Sequence, residues 1–435
     1  MGDLRVAVIK WTIEVGAVRK GMYVCELDRP WEGTPFPLQG FMVETDDQIQ
    51  FLRDHCTTVA VDRDKTPDDL LRRVPPSGPL TPSAASRVRK PEHDAPPPDT
   101  LYQIADQMVH ARSVWRDAQD YITEVMNDVR LGSSVGTLQA RQLVRRLAGQ
   151  VVESPNALLW LTTLRERDHY TCQHSVNVCI LSLSFGRFLG MGGEELETLG
   201  LGALLHDMGK MRVPLEILNC PRRLTAEEFE QMKAHPVLGY TLLKRDKTLP
   251  ENVLQTALCH HERMSGQGYP NGHKGDAIPA HARLVAVVDV YDAISSKRVY
   301  HDGKSPQEAL DIIFRMRGNE LDAELVEAFI RCVGIYPVGS LVELTTGQVG
   351  VVVGFNTRHR LRPTVMLLLD AEHTPMPAPS LLNLASSAWV SGSTAPAIRA
   401  VLEPGSYGID PHQVVNQVTQ SSIGGKRPGP QGNRT

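Results

Sequence analysis

Residues 201–210 read LGALLHDMGK, an apolar helix-forming run that ends in a histidine and an aspartate side by side, His206 and Asp207. Burying that pair without partners costs several kcal/mol, so the fold must supply something that neutralises it. The same oddity recurs on both sides. His174 stands upstream in another apolar stretch, His235 directly precedes Pro236, and the doublet His260 and His261 follows ENVLQTALC (251–259). Asp289 interrupts the valines of LVAVVDVYDA (284–293). One neutraliser would serve all seven groups, and that is metal.

The surrounding pattern is helical. Over residues 165–335 it predicts helices at 172–189, 194–208, 226–234, 237–246, 251–263, 280–297, 305–316 and 322–332. Thr225 followed by Glu228 fits a capping box, and His235 before a proline marks a helix break that aims a side chain inward. Upstream, LRVAVI, GMYVCEL and TTVAVD alternate as strands around one helical segment, DDQIQFLRDH. Prolines at 67, 75, 76, 79, 82, 91, 96, 97 and 98 then predict a mobile linker. Past Tyr336-Pro337 the period returns to strands. The fold expected is mainly α: an all-helical metal-binding bundle flanked by a small α+β N-terminal domain and a small β C-terminal unit. Its segments are 1–62 (α+β), 63–98 (linker), 99–164 (helical connector, suited to bracing a homodimer), 165–335 (catalytic bundle), 336–402 (β extension) and 403–435 (disordered tail).

At 435 residues the chain has room for about two to four domains. A net charge of -4 gives no general attraction to a nucleic-acid polymer, so an anionic ligand must be captured by local groups. The opening MGDLRVAVIKW lacks the basic, apolar and cleavage features of a signal peptide, and no run approaches the roughly 18 apolar residues of a membrane span. Seven cysteines with no C-x-x-C pair suit reduced, buried thiols. A cytoplasmic location without membrane attachment is expected.

A set made only of imidazoles and carboxylates, with no thiolate, favours Fe or Mn, with Zn or Mg as alternatives. If His260 and His261 both lie on one helix, their side chains diverge by about 100°. They can then share one ion only at its edge, or serve a roomy binuclear centre. Asp289, on a helix face that also carries Val285 and Asp292, stays ionised beside a cation. Two ions a few ångströms apart would clamp a phosphodiester and generate hydroxide at neutral pH.

The order His174, HD at 206–207, His235, HHERMSGQGYPNG at 260–272 and Asp289 resembles the HD-GYP family, a branch of the HD phosphohydrolases that hydrolyses cyclic di-GMP. HDMGK, LTAEEFEQMKAHPVLG and VVDVYDAISSKRVY occur in that family's order over residues 165–335. GMYVCELDRPWEGTPFPLQGF (21–41) is similar to the uncharacterised domain often joined to it, and YPVGSLVELTTGQVGVVV (336–353) to its usual carboxyl-terminal extension. The resemblance implies that His174, His206, Asp207 and Asp289 hold one divalent ion. His235, His260 and His261 hold a second, with Asp207 bridging and a hydroxide between the ions as nucleophile. Lys210 would steady charge on a substrate phosphate, Arg298 would grip that phosphate, and Gly268, Tyr269 and Pro270, after Gly266, would meet a guanine or a protein partner such as a diguanylate cyclase. Glu262 and Arg263 would fix the loop.

Three positions depart from the family pattern. Tyr170 stands where members with a third metal carry glutamate, which favours two ions. Ser265 replaces a usual Asp or Asn, and His301 a usual Lys or Arg, both of which bear on substrate grip. The activity expected is metal-dependent hydrolysis of cyclic di-GMP to linear pGpG, and the resemblance leaves open whether cleavage continues to GMP. The rival readings are a cyclic di-GMP-sensing or partner-docking module, and another HD reaction such as nucleotide monophosphate hydrolysis or di-iron oxygenation.

Overall fold

A computed structural model describes residues 10–27, 41–43, 45–62, 66–71, 101–133, 135–164, 170–296, 304–355, 361–386, 396–403, 405–411 and 413–414. The chain divides into two units, Met1–Val88 and Arg89–Thr435.

The first unit contains β1 (Lys10–Glu14), β2 (Tyr23–Leu27), β3 (Phe41–Met42), α1 (Asp46–His55), β4 (Thr58–Asp62) and α2 (Asp68–Leu71). Its antiparallel sheet has the order β1-β4-β2-β3, with Ile13 opposite Val59 and Val24 opposite Val61. Val59 and Val61 are two residues apart and so share a face, and both are buried with Ile13 and Val24. Helix α1 lays Ile49 and Leu52 on that core and opens with a Thr45–Gln48 capping box. The strand expected at LRVAVI falls outside the described residues; β1 is built from the KWTIE that follows. The linker also begins later than residue 63. Thr66 is buried and its Oγ1 accepts the Tyr23 N–H at 3.0 Å, and Leu71 enters the core, because Leu70 and Leu71 give this turn an apolar side to bury. Burying Leu71 contributes about 2 kcal/mol. The rest of the proline-rich segment, residues 72–98, lies outside the described residues, as does the tail after 414.

The second unit begins with α3 (Leu101–Leu131), α4 (Thr137–Glu153), α5 (Pro155–Leu161) and α6 (Tyr170–Phe188). Helix α3 buries Ile104, Met108, Ala111, Trp115, Ala118, Ile122, Val125 and Val129, a stripe at spacings of three and four, and packs it against α4, α5 and α6. The stretch expected as a connector is therefore part of the bundle wall. A spacer helix would leave that stripe in water. Helix α6 is apolar or small nearly all round, and Val176, Val178, Ile180, Leu183 and Phe185 are fully buried. Such a helix belongs in the centre, and α6 touches α3, α4, α7 (Gly193–Leu205) and α12 (Ala280–Ser295).

Between them lie a 3-10 turn (Met208–Arg212), α8 (Leu215–Leu218), α9 (Ala226–Met232), α10 (His235–Leu243) and α11 (Glu251–Cys259). α13 (Pro306–Met316) and α14 (Ala323–Val333) complete the bundle. The expected Thr225–Glu228 capping box opens α9, with bonds of 3.3 and 2.8 Å. Several helices stop short of the ranges their periodicity predicts, and at two of them the difference bears on the site. Helix α7 ends at Leu205 rather than 208, and α11 at Cys259 rather than 263, so the HD pair and the histidine doublet sit at helix ends. Strands β5 (Leu341–Leu344), β6 (Val349–Gly354), β7 (Thr364–Leu369), β8 (Pro375–Asn383) and β9 (Ile398–Leu402) form an antiparallel sheet in the order β8-β7-β6-β5-β9. Val342, Leu344, Val352, Val365 and Leu367 make its core. Among the described residues no helix is long and apolar enough to cross a membrane.

Candidate metal centre

Each donor reaches the centre from a different place. His174 projects from α6, His206 caps α7, Asp207 opens the 3-10 turn, His235 starts α10, His260 caps α11, His261 lies in the turn after it, and Asp289 projects from α12. Asp207 stands in the middle. Its Oδ2 is 3.4 Å from His206 Nε2 and 3.7 Å from His174 Nε2, while its Oδ1 is 3.3 Å from His235 Nε2 and 3.7 Å from His260 Nε2. The side chains thus form two groups, His174 with His206, and His235 with His260 and His261, each completed by Asp207. Asp289 Oδ1 adds to the first group, 3.0 Å from His174 Nε2 and 3.9 Å from His206 Nε2.

Because α11 has ended, the doublet does not splay as adjacent helical residues would. The His260 and His261 rings lie 4.2 Å apart and face one centre. The break is enforced further on by the GYP loop. A Cβ on Gly268 would fall 2.4 Å from Arg263 N and 2.5 Å from His261 O, so only glycine lets the loop fold back on the doublet. Tyr269 N–H bonds His261 O at 3.2 Å, and its ring stacks on His261 with centroids 4.7 Å apart. The buried Glu262 carboxylate accepts the N–H groups of Asn271 (2.8 Å) and His273 (3.0 Å), which ties the loop's far side. Pro270 follows Tyr269 in this loop, beside a cavity of about 320 Å³ lined by His261, Arg263, Ser265, Gln267, Tyr269 and Glu320.

The hydrogen bonds behind the donors fix which nitrogen faces the centre. His206 Nδ1 donates to Ala203 O (2.7 Å), His235 Nδ1 to Met232 O (2.8 Å) and His260 Nδ1 to Ala257 O (3.0 Å). A carbonyl can only accept, so each Nε2 is left with its lone pair inward. His174 Nδ1 instead meets Asp292 Oδ2 at 2.7 Å, and Asn177 Nδ2 holds Asp292 Oδ1 at 3.1 Å. The sequence reading gives neither Asp292 nor Asn177 a role. The signal available was spacing: Asp292 is three residues past Asp289, and Asn177 three past His174.

These lone pairs and carboxylates oppose one another unless a cation lies between them. His206 Nε2 and Asp207 Oδ1 are buried without a hydrogen-bond partner, and with the donor chemistry they fit divalent metal. Without metal the electrostatics are uneven. Burial lowers the pKa of His174, but hydrogen bonds to Asp289 and Asp292 prevail and push it up to about 9. Burial, with His206 and His235 nearby, pushes His260 down to about 3. Burial would raise Asp207, yet the Lys210 ammonium, 2.5 Å from its Oδ2, together with His206 and His235 holds it well below the carboxylate range. Arg298 and His301 lie outside the described residues, and Tyr170 is described only as the first residue of α6.

A helical bundle that gathers imidazoles and carboxylates around one shared aspartate defines an HD-type metal-binding domain. The HD domain family matches residues 160–325, a domain of unknown function matches 10–140, and a KOW domain associated with HD domain matches 341–389. The chain is 35% identical over 368 residues to a cyclic di-GMP phosphodiesterase of Pseudomonas aeruginosa, covering 84% of this chain and 87% of the relative. It is 42% identical over 145 residues to a cyclic di-GMP phosphodiesterase response regulator of Xanthomonas campestris, 33% of this chain and 38% of that one. A 3′3′-cGAMP-specific phosphodiesterase of Vibrio cholerae is 32% identical over 165 residues, 38% of this chain and 32% of the relative. The chain belongs to the HD-GYP phosphodiesterases of the HD phosphohydrolase superfamily.

Proposed function

We propose that this protein hydrolyses cyclic di-GMP to linear pGpG, with two divalent ions, one held by His174, His206, Asp207 and Asp289 and the other by Asp207, His235, His260 and His261. The observation that carries the reading is Asp207, whose two carboxylate oxygens face two different sets of imidazoles within 3.3 to 3.7 Å. Bound ions would supply Lewis acidity toward a phosphoryl oxygen and lower the pKa of water at neutral pH. The chain's own residues do the rest. The Nδ1 hydrogen bonds hold each imidazole in one tautomer, and the buried walls of α6, α7 and α12 keep the donors from relaxing apart. Lys210 is partly exposed beside Asp207, so its ammonium is placed to meet a phosphate that enters the centre, and Arg298 is assigned to the same phosphate. Gly268, Tyr269 and Pro270 shape the loop over His261, where a guanine or a protein partner would rest.

The imidazole and carboxylate donors suit iron or manganese, and they accept zinc as well, so metal analysis of the purified protein decides among them. None of the described cysteines is joined in a disulfide, in keeping with a reducing, cytoplasmic compartment. Homodimer formation and docking of a diguanylate cyclase at the loop belong to the same proposal. The decisive experiment pairs metal analysis with chromatographic product analysis, offering cyclic di-GMP and 3′3′-cGAMP side by side. Asp207→Ala should lose both bound metal and hydrolysis. Full turnover of cyclic di-GMP by that variant would overturn the assignment, and a metal-loaded wild type that binds the dinucleotide uncut would make it a sensor.

A further inference from the structure

We propose that Asp292 is a positioning residue that makes the ion site built on His174 the tighter of the two, so that the ions load in a fixed order. The inference rests on the two-ion reading above and adds an asymmetry to it.

Of the three donor histidines in addition to His174 whose Nδ1 bonds are described above, all lean on backbone carbonyls, which are neutral. His174 leans on a carboxylate, 2.7 Å away and 2% exposed. A carboxylate partner draws the Nδ1 proton more strongly than a carbonyl, leaves more electron density on Nε2, and makes that nitrogen the stronger ligand. The carboxylate is itself braced. Asn177 Nδ2 reaches both Asp292 Oδ1 and Thr162 O at 3.1 Å, which ties α6, α12 and the end of α5 together behind the site. An unbraced Asp292 could rotate away from the imidazole; this one is held against it by Asn177, which Thr162 O anchors in turn.

Formal charge adds to the effect. The His174 group sees Asp207, Asp289 and, behind the imidazole, Asp292. Of these three, only Asp207 contributes an oxygen to the His235, His260 and His261 group. Two more carboxylates near one divalent ion favour it strongly in a buried centre, where water does not screen them. The first ion therefore enters beside His174 and orients Asp207. The second then meets an aspartate whose Oδ1 is already fixed.

The test uses the full-length protein stripped of metal and titrated anaerobically with Mn²⁺ by isothermal titration calorimetry, with electron paramagnetic resonance of the half-loaded sample. Wild type should show two steps. Asp292→Asn, which keeps the shape and removes the charge, should weaken the tighter step by about 10- to 100-fold and leave the weaker step within about twofold. Asp292→Glu should recover part of the loss, as no purely structural role would require. Should Asp292→Asn fail to fold, Asn177→Ser removes the brace alone and should weaken the same step several-fold, with an altered resonance at half loading. Equal weakening of both steps, or none, overturns the proposal while leaving the two-ion reading in place. Uptake of a single ion by wild type overturns both.

Discussion

Gly209, in the turn that carries the HD pair, is the position where one methyl group should do most damage. A Cβ there would lie 1.9 Å from His235 O, 2.4 Å from Gly239 N and 2.9 Å from Gly239 Cα, all backbone atoms of α10. A carbon needs about 3.3 Å from a carbonyl oxygen, so the turn and α10 must part by about 1.4 Å, and no rotamer change can absorb it. Asp207 Oδ1 and His235 Nε2 are 3.3 Å apart, and joint ligation at about 2.0–2.2 Å each tolerates only about 0.5 Å of error. Gly209→Ala should therefore lose the ion shared by Asp207 and His235, keep the one beside His174, and turn over at least about 100-fold more slowly. The assay is metal content per chain, together with cyclic di-GMP hydrolysis and a melting curve. Gly149→Ala on α4, where a Cβ meets nothing within 4 Å, is the control and should gain up to about 1 kcal/mol. A Gly209→Ala protein with two ions and wild-type turnover would refute the close-packing account of this turn.

Two further predictions concern pH and the loop. In the metal-free protein His174 titrates near 9 against 6.5 when unfolded, so its stabilisation is complete below about pH 6.5 and is lost as pH rises toward 9. His260 runs the other way: with a folded value near 3, its contribution is present above about pH 6.5 and is lost as pH falls. The melting temperature of chelated protein should peak near pH 6.5, whereas a melting temperature that climbs steadily from there to pH 9 would contradict the His174 part. Glu262→Gln weakens the acceptor for the Asn271 and His273 N–H groups, worth about 1.5–3 kcal/mol when charged. Hydrogen exchange should quicken over 262–273 and KM should rise more than kcat falls; unchanged exchange would show that Glu262 does not hold the loop.

The identity of the donors was legible because each is a costly polar group in an apolar context, as with Asp289 among valines or His206 after Leu204 and Leu205. Strands β2 and β4 and helix α1 were legible from period, and the Thr225 cap from residue type, whereas β1 and the two-residue β3 were not read. Helix ends were not. Local pattern carries α11 through the doublet to 263, whereas the helix stops at Cys259 and Gly268 returns against Arg263 and His261, a contact no local pattern shows. Nor could periodicity show that α3 is a wall of the bundle, since an apolar stripe does not say what covers it.

By itself the sequence determined the chemistry on offer: imidazoles and carboxylates without thiolates, in a helical frame. Tertiary structure sets how they meet: it turns the two Asp207 oxygens toward the two sets of imidazoles that the family resemblance implies, and it alone brings Asp292 to His174 from 118 residues away. The physical reason is range. Helical period fixes which side chains share a face over a few turns, whereas the meeting of α6, α7, α10, α11 and α12 at one point is set by how their buried surfaces pack.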